Sequence, residues 1–102
     1  MNKLKQYKMF IDGEWVHSES KKTFETLNPE TNKAWATVPE ASAKDVDKAV
    51  KAAQKAFEGE WPKLLPRERG KFLRAIGSQL RENAEMLGEI ETIDTGKLFR
   101  ET

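Results

Sequence analysis

The chain has 102 residues, of which 37% are hydrophobic and 34% charged, a polar composition for a domain that must build its own core. Its formal net charge is +1 with both signs mixed along the sequence, so we expect neither a nucleic-acid partner nor a membrane-surface partner. The absence of cysteine excludes disulfides and a thiol nucleophile within these residues. No signal-like apolar run opens the chain and no window approaches the ~20 apolar residues of a membrane helix, which predicts a cytoplasmic location.

A first β-hairpin is predicted near the amino terminus. The first eight residues are basic, and we expect them to be irregular up to Tyr7. Two short apolar segments, Met9 to Ile11 and Glu14 to Val16, then flank Asp12 and Gly13. Asp-Gly between such segments is typical of a tight hairpin, because both central positions need a positive φ.

A second β-hairpin is predicted directly after it. Alternating segments run from Thr23 to Leu27 and from Ala34 to Val38, and the turn formers at 28–32 separate them. Trp35 lies on one face of the second strand.

The segment from Ser42 to Gly59 predicts an amphipathic helix that lies on a core. Ser42 and Asp45 have the spacing of a capping box, and Gly59 is a candidate left-handed stop. The apolar residues recur at steps of three and four, which places them on one face. They are Val46, Ala49, Val50, Ala53, Ala56 and Phe57.

Two more helices are predicted in the second half of the chain. Pro66 is suited to the first turn of one helix, Asn83 is a candidate N-cap of the next, and Gly96 marks its end. The sequence also predicts that a further helix begins at Leu98. The residues therefore predict an α+β fold of two amino-terminal β-hairpins followed by three antiparallel-packed α-helices. The apolar positions of the second helix are Phe72, Leu73, Ile76 and Leu80, and those of the third helix are Met86, Leu87, Ile90 and Ile93.

Few residues suggest chemistry on their own. The six glycines form neither a G-x-G-x-x-G fingerprint nor a Walker loop, so the sequence shows no phosphate cradle. His17 is the only histidine and is interpreted as a solvated surface residue. The exception is Asp94, whose carboxylate is expected in the last turn of a helix, where the helix dipole disfavours negative charge. Either Lys97 nearby or a bound cation held by carboxylate and backbone oxygens would compensate for it.

Taken together, several segments in a fixed order resemble the amino-terminal region of the aldehyde dehydrogenase superfamily. They cover nearly the whole chain, and the ordered set is far more specific than any one of them. The segments are FIDGEWV (Phe10 to Val16), TLNPET (Thr26 to Thr31), VPEASAKDVDKAVKAAQKAF (Val38 to Phe57), Trp61, ERGKFLR (Glu68 to Arg74) and ETIDTGK (Glu91 to Lys97).

The resemblance implies an NAD(P)+-dependent oxidation of an aldehyde to a carboxylic acid. It also implies that residues 1–102 are an incomplete, outer part of the α/β NAD(P)-binding domain. In this family the nucleophile, the general base and the dinucleotide contacts come later in the chain, so no catalytic or cofactor residue is assigned here. The implied partners are the remainder of the parent enzyme, the aldehyde and further subunits of a homo-oligomer.

The resemblance also implies a site for potassium or sodium. Several family members hold a monovalent cation with oxygens of the residues before the Asn-Pro turn and the aspartate of the ETxDxGK segment. By motif these are Thr26, Leu27 and Asp94. Leu27 offers only its carbonyl, Thr26 a carbonyl or hydroxyl, and Asp94 its carboxylate.

A rival hypothesis is a free-standing α+β module that binds a partner helix or dimerises and has no enzymatic activity. The two hypotheses differ in what the apolar helix faces do. A part of a larger enzyme should leave apolar positions such as Phe72, Leu80, Ile90 or Phe99 uncovered, whereas a self-contained module should cover them.

Overall fold

The computed structural model describes residues 4–98, and the further helix expected from Leu98 onward lies outside that range except for its first residue. Five short strands come first, followed by three α-helices with a 3-10 turn between the first helix and the second. Within residues 4–98 the predicted α+β architecture, two hairpins and then three helices, is confirmed.

The first hairpin forms as predicted. Strand β2 (Met9–Ile11) pairs antiparallel with β3 (Glu14–Val16). Between them Asp12 has a φ of 54° and Gly13 a φ of 79°, the left-handed values that a two-residue turn requires. The Asp-Gly pair therefore sets the register of these strands.

The second hairpin is larger and also forms as predicted. Strand β4 (Thr23–Asn28) pairs antiparallel with β5 (Lys33–Pro39). The prediction of an irregular start was wrong in part, because Lys5–Gln6 forms strand β1, which pairs with β5 in parallel. The amide of Tyr7 extends this pairing by donating to the carbonyl of Thr37 at 3.0 Å. The result is a three-stranded sheet in the order β1-β5-β4.

Helix α1 (Ala43–Glu58) begins with the predicted capping box. The amide of Asp45 donates to the Ser42 hydroxyl at 3.3 Å, and the amide of Ser42 donates to the Asp45 carboxylate at 2.8 Å. The predicted left-handed stop at Gly59 is wrong, since its φ is −93° and its amide instead donates to the carbonyl of Ala56.

After a 3-10 turn at Trp61–Lys63, helix α2 (Pro66–Glu82) begins at its proline as predicted. Asn83 then separates α2 from α3 (Ala84–Thr95). Asn83 occupies the N-cap position of α3, as predicted, but its side chain makes no capping hydrogen bond to that helix. It instead donates to the carbonyl of Gln79, at the end of α2, at 2.9 Å. Helix α3 ends at Gly96, whose φ of 79° is the predicted left-handed stop.

The apolar core of residues 4–98 is small. Ile11 and Ala36 are the buried hydrophobic residues in this range. The expectation that α1 lies on a core fails within the described chain, because Val46, Val50 and Phe57 are 55%, 62% and 70% exposed. Nothing within residues 4–98 covers that face of the helix. In the same range, no helix combines the length and apolar character needed to cross a membrane.

Candidate functional site

The structure brings two of the three predicted site residues into contact. Thr26 on β4 and Asp94 on α3 are 68 positions apart, and the Thr26 hydroxyl donates a hydrogen bond to Oδ1 of Asp94. This bond joins the second hairpin to the last turn of the third helix. The pairing follows from the packing of α3 against β4.

Sequence reasoning missed a third participant, Trp35. Its indole Nε1–H donates to the same carboxylate oxygen of Asp94 at 3.2 Å. The side chain reaches Asp94 because the strand register is interrupted there: Thr26 pairs with Ala36, and the next residue, Leu27, pairs with Ala34. Trp35 is therefore the extra residue of a β-bulge, a feature that redirects a side chain. The one sign of this role in the sequence is that Trp35 lies on the strand predicted to pair with the strand of Thr26.

The third predicted residue, Leu27, lies at the bulge, next to Thr26. Its side chain is exposed and apolar, so its carbonyl is the only group it can offer a cation. The alternative partner for Asp94, Lys97, lies elsewhere: its ammonium group is 3.7 Å from the Glu91 carboxylate. Neutral donors, rather than Lys97, therefore contact the Asp94 carboxylate.

The end of α3 is held next to the Asn-Pro turn. A Cβ added to Gly96 would lie 3.6 Å from Pro29, so the helix stop and the turn are neighbours. Asn28 organises the turn by accepting a hydrogen bond from the amide of Glu30 at 2.9 Å. These contacts place the carboxyl-terminal turn of α3, the negative end of its dipole, beside the end of β4.

The chemistry of this junction fits a hard monovalent cation. The oxygen atoms that could bind an ion belong to a carboxylate, a hydroxyl and backbone carbonyls, and the helix end adds a partial negative charge. Both hydrogen bonds to Asp94 use Oδ1, and within residues 4–98 none reaches Oδ2. A transition-metal site has no such support, because the described residues contain no cluster of three histidine, cysteine or acidic ligands. The junction borders a cleft of about 600 Å³.

His17, which was interpreted as a solvated surface residue, is exposed on the loop after β3.

Comparison with known proteins assigns the chain to a family. The model of the aldehyde dehydrogenase family matches residues 15–102. An aldehyde dehydrogenase of Aspergillus niger is 48% identical over 89 residues, which are 87% of this chain and 18% of that protein. Aldehyde dehydrogenase 1 of Tanacetum cinerariifolium is 47% identical over 98 residues, 95% of this chain and 20% of the relative.

Solved structures share the fold as well as the sequence. The betaine aldehyde dehydrogenase of Staphylococcus aureus in complex with NAD+ superposes with a TM-score of 0.89 at 42% identity, over 92% of this chain and 19% of that one. An NAD-dependent aldehyde dehydrogenase from Sinorhizobium meliloti gives a TM-score of 0.92 at 35% identity, over 96% and 20%.

The chain thus spans about a fifth of the length of the relatives that it matches. Within that span the fold agrees with that of both solved structures, as their TM-scores show. The chain belongs to the aldehyde dehydrogenase family.

Proposed function

We propose that this chain is the amino-terminal part of an NAD(P)+-dependent aldehyde dehydrogenase that oxidises an aldehyde to a carboxylic acid. Its role is scaffold: it forms an incomplete part of the cofactor-binding domain in a cytoplasmic homo-oligomer. The cofactor, NAD or NADP, supplies hydride-accepting chemistry when bound to the remainder of the enzyme. The sequence contains no cysteine and no dinucleotide fingerprint, so the chain supports the rest of the enzyme and does not supply reacting groups.

The observation that supports this proposal is the exposure of apolar helix faces. Phe72 and Leu80 on α2 are 56% and 55% exposed, and Ile90 on α3 is half-buried. Phe99, the fourth residue named for this test, lies outside the described residues. Soluble monomers rarely expose contiguous apolar faces of this kind. The exposure favours a part of a larger enzyme over a self-contained module, whose faces would be covered.

The test compares the full-length protein, meaning this chain with everything its reading frame encodes, with the 102-residue chain alone. We expect the full-length protein to reduce NAD+ or NADP+ when aldehydes are supplied, and the 102-residue chain to be inactive. Absorbance of the reduced nicotinamide gives the rate. No reduction with a broad panel of aldehydes would contradict the assigned reaction, and activity of the short chain would contradict the scaffold role.

We also propose that Thr26, Leu27 and Asp94 contribute oxygens to a potassium or sodium site in the full-length protein. Contact between Thr26 and Asp94 supports it, as does the position of Asp94 at the negative end of α3. The ion would tie the second hairpin to the third helix.

Thermal unfolding in potassium chloride and in tetramethylammonium chloride at equal ionic strength tests the cation site. A potassium-dependent rise of the midpoint should disappear in Asp94→Ala and persist in Asp47→Ala, an exposed carboxylate on α1. An unchanged potassium dependence in Asp94→Ala would reject the assignment.

A further inference from the structure

We infer that Trp35 is a positioning residue for Asp94: its indole N–H fixes the carboxylate so that the second oxygen is presented to the cation. The inference rests on the proposed cation site and adds to it a residue that offers no ligand atom. Three features of the junction support it. They are the bulge, the fact that both hydrogen bonds to Asp94 use the same carboxylate oxygen, and the contact of the indole ring with Tyr7.

The bulge supplies the geometry. In a regular antiparallel pair, neighbouring residues of one strand point to opposite faces of the sheet. Trp35 has no partner in the register, since Thr26 faces Ala36 and Leu27 faces Ala34. Two side chains from different strands, Thr26 and Trp35, consequently converge on Oδ1 of Asp94.

Both hydrogen bonds end on the same carboxylate oxygen of Asp94, Oδ1. An aspartate with one oxygen held by two donors has lost most of its rotational freedom. Within the described part of the chain, Oδ2 accepts no hydrogen bond, so it is the oxygen left for a ligand. Orientation matters here because Asp94 is exposed, where solvent screens its charge and an unheld side chain would sample several rotamers.

Tyr7 holds the indole in place. The rings of Tyr7 and Trp35 lie edge to face, with centroids 6.1 Å apart and planes at 77°. Tyr7 itself is fixed by the hydrogen bond from its amide to Thr37 at the end of the parallel β1–β5 pairing. A short amino-terminal strand, which the sequence did not predict, thereby reaches Asp94 through two aromatic side chains.

The experiment titrates the full-length protein with potassium chloride against a tetramethylammonium background and follows both the thermal midpoint and tryptophan fluorescence. Trp35→Phe removes the N–H and part of the ring. A second variant carries benzothienylalanine at position 35, which keeps the bicyclic shape and replaces the N–H by sulfur. Trp15→Phe is the matched control, because Trp15 packs on Phe10 in the first hairpin and does not contact Asp94.

Both Trp35 variants should weaken the apparent potassium affinity by about threefold to tenfold, which corresponds to the net contribution of one typical intramolecular hydrogen bond. The potassium-dependent change in fluorescence should also disappear in Trp35→Phe and remain in Trp15→Phe. If Trp35→Phe fails to fold, the benzothienylalanine variant decides.

Three results would overturn the inference. Unchanged affinity in both Trp35 variants would show that the indole does not position Asp94. Weaker binding in Trp35→Phe with normal binding in the benzothienylalanine variant would assign the effect to ring packing. A wild-type protein that responds to neither potassium nor sodium would remove the cation site and this inference together, while the aldehyde assay would judge the dehydrogenase proposal separately.

Discussion

The backbone amide of Glu19 donates to both carboxylate oxygens of Asp45, each at 3.1 Å. Asp45 is buried at the first turn of α1, and it also accepts the amide of Ser42 at 2.8 Å. The loop after the first hairpin and the start of α1 are therefore fastened by one side chain. This arrangement satisfies amides that would otherwise lack partners and places a negative charge at the positive end of the helix.

Ser42→Ala should destabilise the 102-residue chain by about 0.5–2 kcal/mol, since it removes the N-cap acceptor of α1. Urea unfolding followed by circular dichroism measures the change. Asp47→Ala is the control, because it breaks only an exposed ion pair with Lys51 on the same helix and should cost about 0.5 kcal/mol or less. Equal losses in the two variants would contradict the assigned cap.

Stability should fall at low pH in a way that depends on Asp45. Its pKa lies below the ordinary value of 3.8, chiefly because the Ser42 amide donates to it. Burial acts in the opposite direction, while the Glu19 amide, the Ser42 hydroxyl and Lys48 lower the pKa further. A lowered folded-state pKa gives stability that is complete above the unfolded pKa and is lost as pH falls through the folded pKa.

Urea unfolding between about pH 2 and pH 6 measures this dependence. Asp45→Asn should be less stable at the upper end of this range and should lose less stability on acidification than the wild-type chain. Parallel acid profiles for the two proteins would show that Asp45 contributes nothing to the pH dependence.

Gly96→Ala and Gly77→Ala should change stability in opposite directions. Gly96 has a φ of 79°, so an added Cβ is strained by about 1–2 kcal/mol even though the space beside Pro29 admits it. Gly77 is inside α2 with open space around it, so alanine should stabilise by about 0.5–1 kcal/mol. Thermal unfolding of the 102-residue chain measures both. A tolerated alanine at 96 would contradict the left-handed stop.

Leu80→Ala and Arg81→Ala separate the two sides of α2 in the full-length protein. Leu80 is exposed within the described chain, and the scaffold proposal requires the rest of the enzyme to cover it. Its truncation should then cost about 2–5 kcal/mol, as for a buried leucine. Arg81→Ala should have an effect within about 0.5 kcal/mol. A small effect at Leu80 would mean that this face stays open to solvent in the full-length protein.

Local chemistry determined most of the secondary structure from the sequence alone. Asp12 and Gly13 specify their turn because few residues tolerate a positive φ, and Ser42 with Asp45 specifies a helix start because the side chains satisfy the first amides. Gly96 specifies a helix end for the same steric reason. Such signals depend on residues a few positions apart, so they can be read without the fold.

Only the tertiary structure decided how Asp94 is held. The resemblance predicted Thr26 and Asp94 together, but not their direct hydrogen bond, the bulge at Trp35 or the parallel strand β1. A bulge depends on how two strands align, and β1 pairs with a strand about thirty positions later in the chain. Long-range pairing of this kind has no periodic signature in the sequence, so the donors to Asp94 are visible only after the hairpin and α3 have packed together.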